Sequence, residues 1–218
     1  MISNKDSKAS KIQGLYLVTD RSLCLHHPLE EIVRLSVKAG VQIVQLREKE
    51  ISTKEFLSLA KHLLNVLGPF QVPLIVNDRL DVALTSGANG IHLGQSDLPY
   101  VEARKYLGPE AIIGLSIETK ADLQNLPQGY ESQLDYLAAS PVFSTPTKTD
   151  TKEPWGLSGL EWLKVHSKLP LVAIGGINLS NAKAVHHAGA DSLAVVSYLC
   201  SAEDPEENAR RMVEVVGG

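Results

Sequence analysis

The sequence predicts an α/β fold of the (β/α)8 class, a single closed parallel TIM barrel. Short apolar runs rich in β-branched residues alternate with longer amphipathic stretches from one end of the 218 residues to the other. Eight strand and helix pairs can be read, with the strand first in each pair. Parallel strands require crossover helices, and an all-parallel sheet needs cover on its outer face, so this alternation favours one closed barrel.

The eight strands are predicted from continuous apolar runs, which are typical of strands buried on both faces. Each run ends in a polar residue or a glycine, where the chain is expected to turn towards the next helix. In chain order, the runs are GLYLVTD at 14–20, VQIVQLR at 41–47, VPLIVND at 72–78, GIHLG at 90–94, AIIGLS at 111–116, LDYLAAS at 134–140, LPLVAIGG at 169–176 and DSLAVVS at 191–197.

The helices are predicted from apolar residues that gather on one side of a 3.6-residue period, and from residues that begin or end helices. Gly40 is expected to end the first helix. Ser52 or Thr53 is a suitable N-cap for the second, and Asn178 for the seventh. In chain order, the predicted helices span 28–39, about 52–64, 80–88, 98–107, 120–126, 158–166, 178–189 and 205–216.

Residues 14–218 are predicted to form one domain, because no break in composition divides them. Residues 1–13 have no apolar segment and are predicted to be a flexible N-terminal tail, neither a signal peptide nor a membrane anchor. A doubly wound open sheet is the structural alternative. Such a sheet usually carries a glycine-rich phosphate loop after its first strand, and VTDRSLCLH has none.

Composition excludes several classes of protein. A hydrophobic content of 44% excludes disorder as the main state, and a net charge of −4 gives no general basic field for nucleic acid. No run approaches the roughly 18 apolar residues of a membrane helix. Cys24 and Cys200 lie far apart in sequence, which argues against a disulfide framework and fits reduced thiols in the cytoplasm.

Polar residues and glycines follow the predicted strands, at the end where barrels of this class carry their catalytic groups. Each has an ordinary alternative: the cations as solvated surface, the acids as helix caps, the glycines as turns. Their coincidence on one rim favours a site over these alternatives. The candidates are Gln45, Arg47, Lys49, Asn77, Asp78, Asp97, Ser116, Ser144, Thr145, Thr147, Lys148, Gly175, Gly176, Val196 and Ser197.

The charged candidates predict a metal-assisted polyphosphate site. Arg47, Lys49 and Lys148 are three cations, which suit a ligand with several phosphate charges. Asp78 and Asp97 would repel that ligand, by about 4 kcal/mol for unit charges ~4 Å apart at an effective dielectric constant near ~20. Mg²⁺ binds one or two protein carboxylates together with substrate phosphate oxygens, and it would remove this conflict.

A second phosphate site is predicted on the same rim. The loops after strands seven and eight often bind phosphate in barrels, through backbone N–H groups. Gly175, Gly176 and Ser197 fall in those loops. Two anion sites on one rim suggest a reaction that joins two phosphorylated molecules.

Seven segments together resemble the thiamine phosphate synthase family in order and spacing. They are QLREKE, NDRLDVAL, GIHLGQSD, IIGLS, SPVFSTPTKT, VAIGGIN and GADSLAVVS, and the likeness runs from about Leu15 to the final helix. The resemblance implies a transferase of thiamine biosynthesis. The implied reaction condenses hydroxymethylpyrimidine diphosphate with a thiazole phosphate and requires Mg²⁺. Pyrophosphate leaves first, and the thiazole nitrogen captures the resulting carbocation.

The resemblance also implies a role for each matching residue. Asp78 and Asp97 would bind the metal, and Ser116, Lys148 and Arg47 are the predicted catalytic residues. By match to the family motifs, the substrate-binding residues are Gln45 for the pyrimidine, Arg47, Lys49, Asn77 and Lys148 for the diphosphate, Ser116 near the reacting centre, and Thr145, Thr147, Gly176, Val196 and Ser197 for the thiazole phosphate.

One position departs from the family pattern. Many members carry histidine two residues after the serine of the fifth strand, where this chain has Glu118. The related thiazole tautomerase branch uses that histidine for proton transfer, so its loss argues against tautomerase activity. Glu118 either adds negative charge near the anion site or turns outward to cap the next helix.

Two other functions stay open from the sequence. A phosphosugar isomerase or another phosphate-binding barrel would need a catalytic carboxylate or histidine at the rim, but not two aspartates with three cations. A binding or regulatory barrel would have kept the cavity and lost turnover. The expected partners are small phosphorylated pyrimidine and thiazole substrates, without nucleic acid or membrane, and a homo-oligomer is left open.

Overall fold

The computed structural model describes residues 12–145 and 152–217. Residues 1–11 of the predicted tail, with Thr147 and Lys148, lie outside the described residues. In chain order, the elements are β1 Gly14–Val18, α1 Leu29–Lys38, β2 Ile43–Leu46, α2 Thr53–Leu67, β3 Leu74–Asn77, α3 Leu80–Ser86, β4 Gly90–Leu93, α4 Tyr100–Leu107, β5 Ile112–Ile117, α5 Lys120–Gln124, β6 Tyr136–Ala139, α6 Gly156–His166, β7 Leu171–Ile174, α7 Leu179–His187, β8 Ser192–Val195, α8 Ser197–Cys200 and α9 Pro205–Val216.

The eight strands form one closed parallel barrel in sequence order, which confirms the predicted fold class. β1 closes the barrel against β8, where Gly14 pairs with Ser192 and Leu17 with Val195. The strands β2 to β6 and β8 are buried along their whole length. This burial on both faces explains why the strands appear in the sequence as continuous apolar runs.

The core has two parts. A larger one lies between the sheet and the surrounding helices, and a smaller one fills the barrel interior. Tyr16, Ile43 and Tyr136 belong to the interior part, and so does Ile12, whose side chain is fully buried. Ile12 therefore belongs to the packed core, although it falls inside the segment 1–13 that the sequence predicts to be a tail.

Side-chain caps fix several helix starts, as the sequence predicts. Ser52 is the N-cap of α2 and forms a capping box with Glu55. Asn178 is the N-cap of α7, where its side chain accepts a hydrogen bond from the backbone N–H of Ser180. These caps satisfy backbone donors that have no partner within the helix.

The chain after β8 differs from the prediction. The eighth strand was expected to continue to Ser197, but it ends at Val195 and is followed by the short helix α8. Val196 leaves the extended conformation, with φ −115° and ψ −82°, and its carbonyl accepts a hydrogen bond of 2.9 Å from the N–H of Cys200. This turn holds Ser197 at the rim of the barrel.

The fold also brings together two residues that are distant in sequence. Cys24 lies in the loop after β1 and Cys200 at the end of α8, close enough for each thiol to shift the pKa of the other. Cys24 Sγ donates to the Asp20 carbonyl at 3.4 Å, and Cys200 Sγ donates to the Val18 carbonyl at 3.8 Å. Both thiols are free, and Cys200 is buried while Cys24 is half-buried. Sequence separation was therefore a poor guide to the distance between them.

The described helices lie within residues 12–145 and 152–217. None of the helices described there combines the length and the apolar composition that crossing a bilayer requires.

Candidate active site

A cavity of about 830 Å³ opens at the carboxyl ends of the strands. Every one of the eight strands or the loop that follows it contributes to its wall. The sequence-predicted residues that line it are Gln45, Arg47, Lys49, Asn77, Asp78, Asp97, Ser116, Thr145, Gly175, Gly176, Val196 and Ser197. Strand-end position therefore gathers the predicted residues into one site, as expected for a parallel barrel.

The floor of the cavity is a chain of buried polar side chains. Gln45 Nε2 donates to the Tyr16 hydroxyl at 2.8 Å, and this hydroxyl lies 3.0 Å from that of Tyr136. His92 continues the chain, with Nδ1 2.9 Å from the Tyr136 hydroxyl and Nε2 2.9 Å from Ser116 Oγ. The five side chains connect the ends of β2 and β5 across the barrel.

Burial controls the ionisation of the two phenols. Loss of water raises the pKa of Tyr16 to about 12, partly offset by its hydrogen bonds to Tyr136 and Gln45. Burial also raises the pKa of Tyr136 well above its ordinary value, and the neighbouring Tyr16 adds to the effect. Both hydroxyls are therefore protonated at neutral pH. Neither tyrosine was among the predicted site residues, because both lie inside apolar runs. The alternation of side chains along a strand, which points both tyrosines into the barrel, is the one sequence signal that could have indicated them.

The cationic part of the rim follows β2. Arg47 Nη1 lies 3.2 Å from Asp20 Oδ2, and both side chains are largely buried. The backbone N–H of Arg47 donates to Thr19 Oγ1 at 3.1 Å. Lys49, two residues further on, is exposed at the same rim. Asp20 was not among the predicted site residues, and only its place after β1 could have indicated it.

Two carboxylates lie side by side on the neighbouring part of the rim. Asp78 and Asp97 both line the cavity, and Asp97 lies close enough to Asp78 to affect its ionisation. Burial is the largest cause that raises the pKa of Asp78 to about 7, and the carboxylate of Asp97 adds to it. Asp97 Oδ2 also accepts a hydrogen bond of 2.6 Å from the N–H of Gly94. The Asp78 carboxyl is therefore partly protonated near neutral pH, and a divalent cation beside it would favour its ionised form.

The helix-cap alternative does not hold for these two aspartates. α3 begins after Arg79 and α4 after Pro99, and neither helix has a side-chain cap. Asp78 instead adopts a positive φ of 60°, uncommon outside glycine, and its backbone N–H donates to the His92 carbonyl at 2.9 Å. The backbone thus turns the Asp78 side chain towards the cavity.

The opposite wall is formed by the loops after β7 and β8. Gly175 and Gly176 both have positive φ, of 107° and 65°. A Cβ on Gly176 would lie 2.9 Å from Phe143 Cβ, so glycine is needed for the close approach of two loops. Asn181 fixes this turn by donating from Nδ2 to the Gly176 carbonyl at 2.9 Å. Backbone N–H groups in such turns are suited to bind an anion.

The structure decides between the two alternatives for Glu118. The N-cap of α5 is Thr119, which forms a capping box with Asp122. Glu118 lies on the cavity wall and does not cap this helix, although its backbone N–H donates to Asp122 Oδ2. The Glu118 carboxylate therefore lies on the cavity wall, at the position where the sequence departs from the histidine of the family pattern.

Comparisons with known proteins show which family the chain resembles. A family model described as thiamine monophosphate synthase matches residues 15–199. The chain is 62% identical over 199 residues to the thiamine-phosphate synthase of Leptospira biflexa, covering 91% of this chain and 95% of that protein. It is 50% identical over 202 residues to that of Albidiferax ferrireducens, covering 93% and 91%.

A solved structure supports the same likeness. The thiamine phosphate pyrophosphorylase from Pyrococcus furiosus superposes with a TM-score of 0.85 at 34% sequence identity. The match covers 96% of this chain and 97% of that chain. Fold and sequence thus lead to the same group of proteins.

Proposed function

The chain belongs to the thiamine monophosphate synthase family of transferases, and we propose that it condenses hydroxymethylpyrimidine diphosphate with hydroxyethylthiazole phosphate. The products would be thiamine phosphate and pyrophosphate. One observation carries this proposal: a single cavity has a charged rim after β2 to β4 and a glycine-rich turn with Ser197 after β7 and β8. The two regions face each other across the barrel, so two phosphorylated substrates can meet between them.

The diphosphate is assigned to the charged rim. Arg47 offers a fixed fork of N–H donors, and Lys49 and Asn77 lie beside it on the cavity wall. Lys148 is proposed as a further cation on the basis of the family motif, and it lies outside the described residues. These groups stabilise negative charge that develops on the leaving pyrophosphate, the largest contribution that preorganised donors make in many enzymes.

Asp78 and Asp97 are proposed to bind Mg²⁺. Their closeness on the cavity wall and the raised pKa of Asp78 indicate a site with excess negative charge, which fits a divalent cation. Across residues 12–145 and 152–217, no three His, Cys, Asp or Glu side chains gather into one possible metal set. Two carboxylates leave coordination positions for phosphate oxygens and water, as Mg²⁺ prefers. Bound there, the ion would neutralise charge on the diphosphate.

The pyrimidine is assigned to the cavity floor. Gln45 would bind its edge, and Ser116 would stand beside the reacting carbon. The bond between that carbon and the diphosphate oxygen breaks first, and its electron pair leaves with the pyrophosphate. The resulting pyrimidine-stabilised carbocation accepts the lone pair of the thiazole nitrogen, which forms the new C–N bond. No side chain needs to act as a nucleophile or a strong base, so positioning and charge stabilisation account for the rate.

The thiazole phosphate is assigned to the loops after β6, β7 and β8. Thr145, Gly176, Val196 and Ser197 line that side of the cavity. Thr147 is proposed with them on the basis of the family motif. Hydroxyls and backbone N–H groups there would hold the phosphate and direct the thiazole nitrogen towards the floor. A cytoplasmic location stays a prediction from the sequence, and the oligomeric state stays open.

The decisive experiment is the condensation itself. Purified protein is mixed with both phosphorylated substrates and Mg²⁺, and thiamine phosphate and pyrophosphate are measured together. We expect equal amounts of the two products and no reaction with EDTA. Asp97→Asn should abolish release, while Glu102→Gln, on the exposed face of α4 and paired with Lys105, should not change it. Full turnover in EDTA would contradict the metal site, and no product in any condition would contradict the reaction.

A further inference from the structure

The proposed reaction gives no role to most of the buried hydrogen bonds at the floor of the cavity. Gln45, Tyr16, Tyr136, His92 and Ser116 form an unbroken series of hydrogen bonds of 2.8 to 3.0 Å. All five side chains are at least nine-tenths buried. In such surroundings an unsatisfied donor is costly, so each hydrogen is expected to have an acceptor.

We propose that this series is a one-directional relay, in which Tyr16, Tyr136 and His92 position the hydroxyl of Ser116 as a hydrogen-bond donor into the cavity. Tyr136 and His92 are positioning residues in this proposal, not catalytic residues. The hydrogen bond from Ser116 to a substrate rests on the proposed function. The direction of the relay does not, because it depends only on side chains of the protein.

The direction begins at Gln45. Its amide nitrogen can only donate, and it donates to the Tyr16 hydroxyl. Tyr16 has one hydrogen, and within the described residues the Tyr136 hydroxyl is the remaining partner for it. If Tyr136 donated to Tyr16 instead, the Tyr16 hydrogen would be buried without an acceptor. Tyr16 therefore donates to Tyr136.

The same reasoning carries the direction to Ser116. The Tyr136 hydroxyl accepts from Tyr16, so its own hydrogen points to His92 Nδ1. Nδ1 must then be the unprotonated nitrogen, and His92 is the neutral tautomer with its hydrogen on Nε2. That nitrogen donates to Ser116 Oγ at 2.9 Å. The Ser116 hydroxyl hydrogen is consequently directed away from His92 and into the cavity.

Packing keeps the relay in place. The His92 and Tyr136 rings stack with centroids 5.6 Å apart and an interplanar angle of 19°. Gly114, which pairs with Tyr136 between β5 and β6, leaves room for that ring, because a Cβ there would lie 2.0 Å from Tyr136 Cζ. A phenol is protonated at neutral pH, and burial disfavours the phenolate further, since it raises the pKa of Tyr16 to about 12 and that of Tyr136 well above its ordinary value. No phenolate interrupts the chain.

The direction of the hydrogen bonds decides which groups Ser116, at one end of the relay, and Gln45, at the other, present to a substrate. A Ser116 hydroxyl that donates can bind an anionic oxygen of the diphosphate, whereas the reverse direction would present only lone pairs to it. At the other end, one N–H of Gln45 is used by Tyr16, and its carbonyl oxygen and second N–H remain for the substrate. That pair complements the amino group and the adjacent ring nitrogen of an aminopyrimidine.

The test is the tautomer of His92 in the substrate-free full-length protein. Histidine is labelled with ¹⁵N, and two-bond ¹H–¹⁵N spectra at neutral pH identify the protonated nitrogen; a His92→Asn variant assigns the signals. We expect a single neutral form with the hydrogen on Nε2. A hydrogen on Nδ1 would overturn the relay, whatever the activity of the protein.

Kinetics with hydroxyl deletions give the second readout. Tyr136→Phe removes the middle of the relay and keeps the ring, so we expect kcat to fall roughly tenfold, by analogy with the loss of one stabilising hydrogen bond. The KM for the thiazole phosphate should not change, and the His92 tautomer should become mixed. Tyr16→Phe should have the same effects. Tyr100→Phe, which removes a buried hydroxyl from α4 outside the cavity, should have none.

The outcomes separate the two proposals. If the wild type makes no thiamine phosphate but His92 carries its hydrogen on Nε2, the proposed function fails and the relay stands. If the wild type is active and Tyr136→Phe leaves both kcat and the tautomer unchanged, the relay fails alone. If one tyrosine variant does not fold, the other and the wild-type tautomer still decide.

Discussion

Asp20 accepts a hydrogen bond from Arg47 across the first two strands, with 3.2 Å between Oδ2 and Nη1. The other oxygen of Asp20 accepts from the backbone and the hydroxyl of Ser22, so the carboxylate itself is fixed. The guanidinium is therefore held at the rim before any substrate arrives. An arginine side chain has about 2 kcal/mol of rotamer entropy, and ordering it in advance lowers the cost of binding.

Arg47→Lys tests this preorganisation, because the substitution keeps the charge and removes the planar fork. We expect the KM for the pyrimidine diphosphate to rise about tenfold, since a lysine cannot hold Asp20 and a phosphate together and each charge-assisted bond is worth about 1.5–3 kcal/mol. Arg79→Lys is the matched control, because Arg79 pairs with Asp81 on the exposed surface. Steady-state kinetics check both. Equal KM values for Arg47→Lys and the wild type would contradict the role.

The acidic pair predicts an unusual dependence of stability on pH. Burial and the neighbouring Asp97 raise the pKa of Asp78 to about 7, above the value of about 3.9 in an unfolded chain. Between these values the folded state holds more protons than the unfolded state, so this group's contribution to stability falls as pH rises. We therefore expect the Tm of the metal-free protein to decrease from about pH 5 to pH 8, with the loss complete above pH ~7.

Magnesium and Asp97→Asn provide the controls for that measurement. Mg²⁺ competes with the proton, so its stabilising effect should be small at low pH and largest above pH ~7. Asp97→Asn removes the neighbouring charge, which should lower the pKa of Asp78, flatten the pH dependence and eliminate the response to Mg²⁺. Thermal unfolding in EDTA and in Mg²⁺ measures each effect. The same slope in Asp97→Asn and the wild type would mean that the pair is not its source.

Replacing Gly176 by alanine is expected to weaken binding of the thiazole phosphate, and a second glycine allows this effect to be separated from backbone strain. Alanine at its φ of 65° costs about 1–2 kcal/mol, and the added Cβ would lie 2.9 Å from Phe143 Cβ and 3.0 Å from the Ser144 carbonyl oxygen. Gly87 has a similar φ of 77° and no atom within 4 Å of such a Cβ. Both substitutions to alanine should lower the free energy of unfolding measured in urea, and Gly176→Ala should lower it more, because its Cβ also meets Phe143 and Ser144. Only Gly176→Ala should raise the KM for the thiazole phosphate; an unchanged KM would remove this turn from the site.

The rim could be predicted from sequence because its residues are marked locally. Asp78 and Asp97 each follow a buried strand, and parallel strands in a barrel end on one face, so position along the chain was enough to place them together. The helix starts at Ser52 and Asn178 were equally local, since a cap needs only the residues beside it. The chemical roles of the rim residues stay predictions until they are measured.

The floor could not be predicted in the same way. Tyr16 and Tyr136 meet only because β1 and β6 face each other inside the barrel, and nothing near either residue distinguishes it from a core tyrosine. The ion pair of Asp20 with Arg47 likewise forms only because the ends of β1 and β2 are neighbours in the barrel, which the residues around Asp20 do not indicate. The turn at Val196 was missed because the valines before Ser197 favour a strand, and tertiary contacts override that preference.

The thiol pair predicts that the two cysteines differ in reactivity. The neighbouring Cys200 thiol lowers the pKa of the Cys24 thiol, while the contact with Cys24 and then burial raise the pKa of Cys200. Because the thiolate is the nucleophile, iodoacetamide should label half-buried Cys24 in the native protein and Cys200 only after unfolding. Peptide mapping by mass spectrometry measures both sites. Cys200→Ala should slow the labelling of Cys24, because it removes the group that lowers the pKa of the Cys24 thiol. Cys200→Ser should slow it less, because a hydroxyl beside Cys24 can still stabilise the thiolate. Faster labelling of Cys200 than of Cys24 would contradict the predicted difference in reactivity.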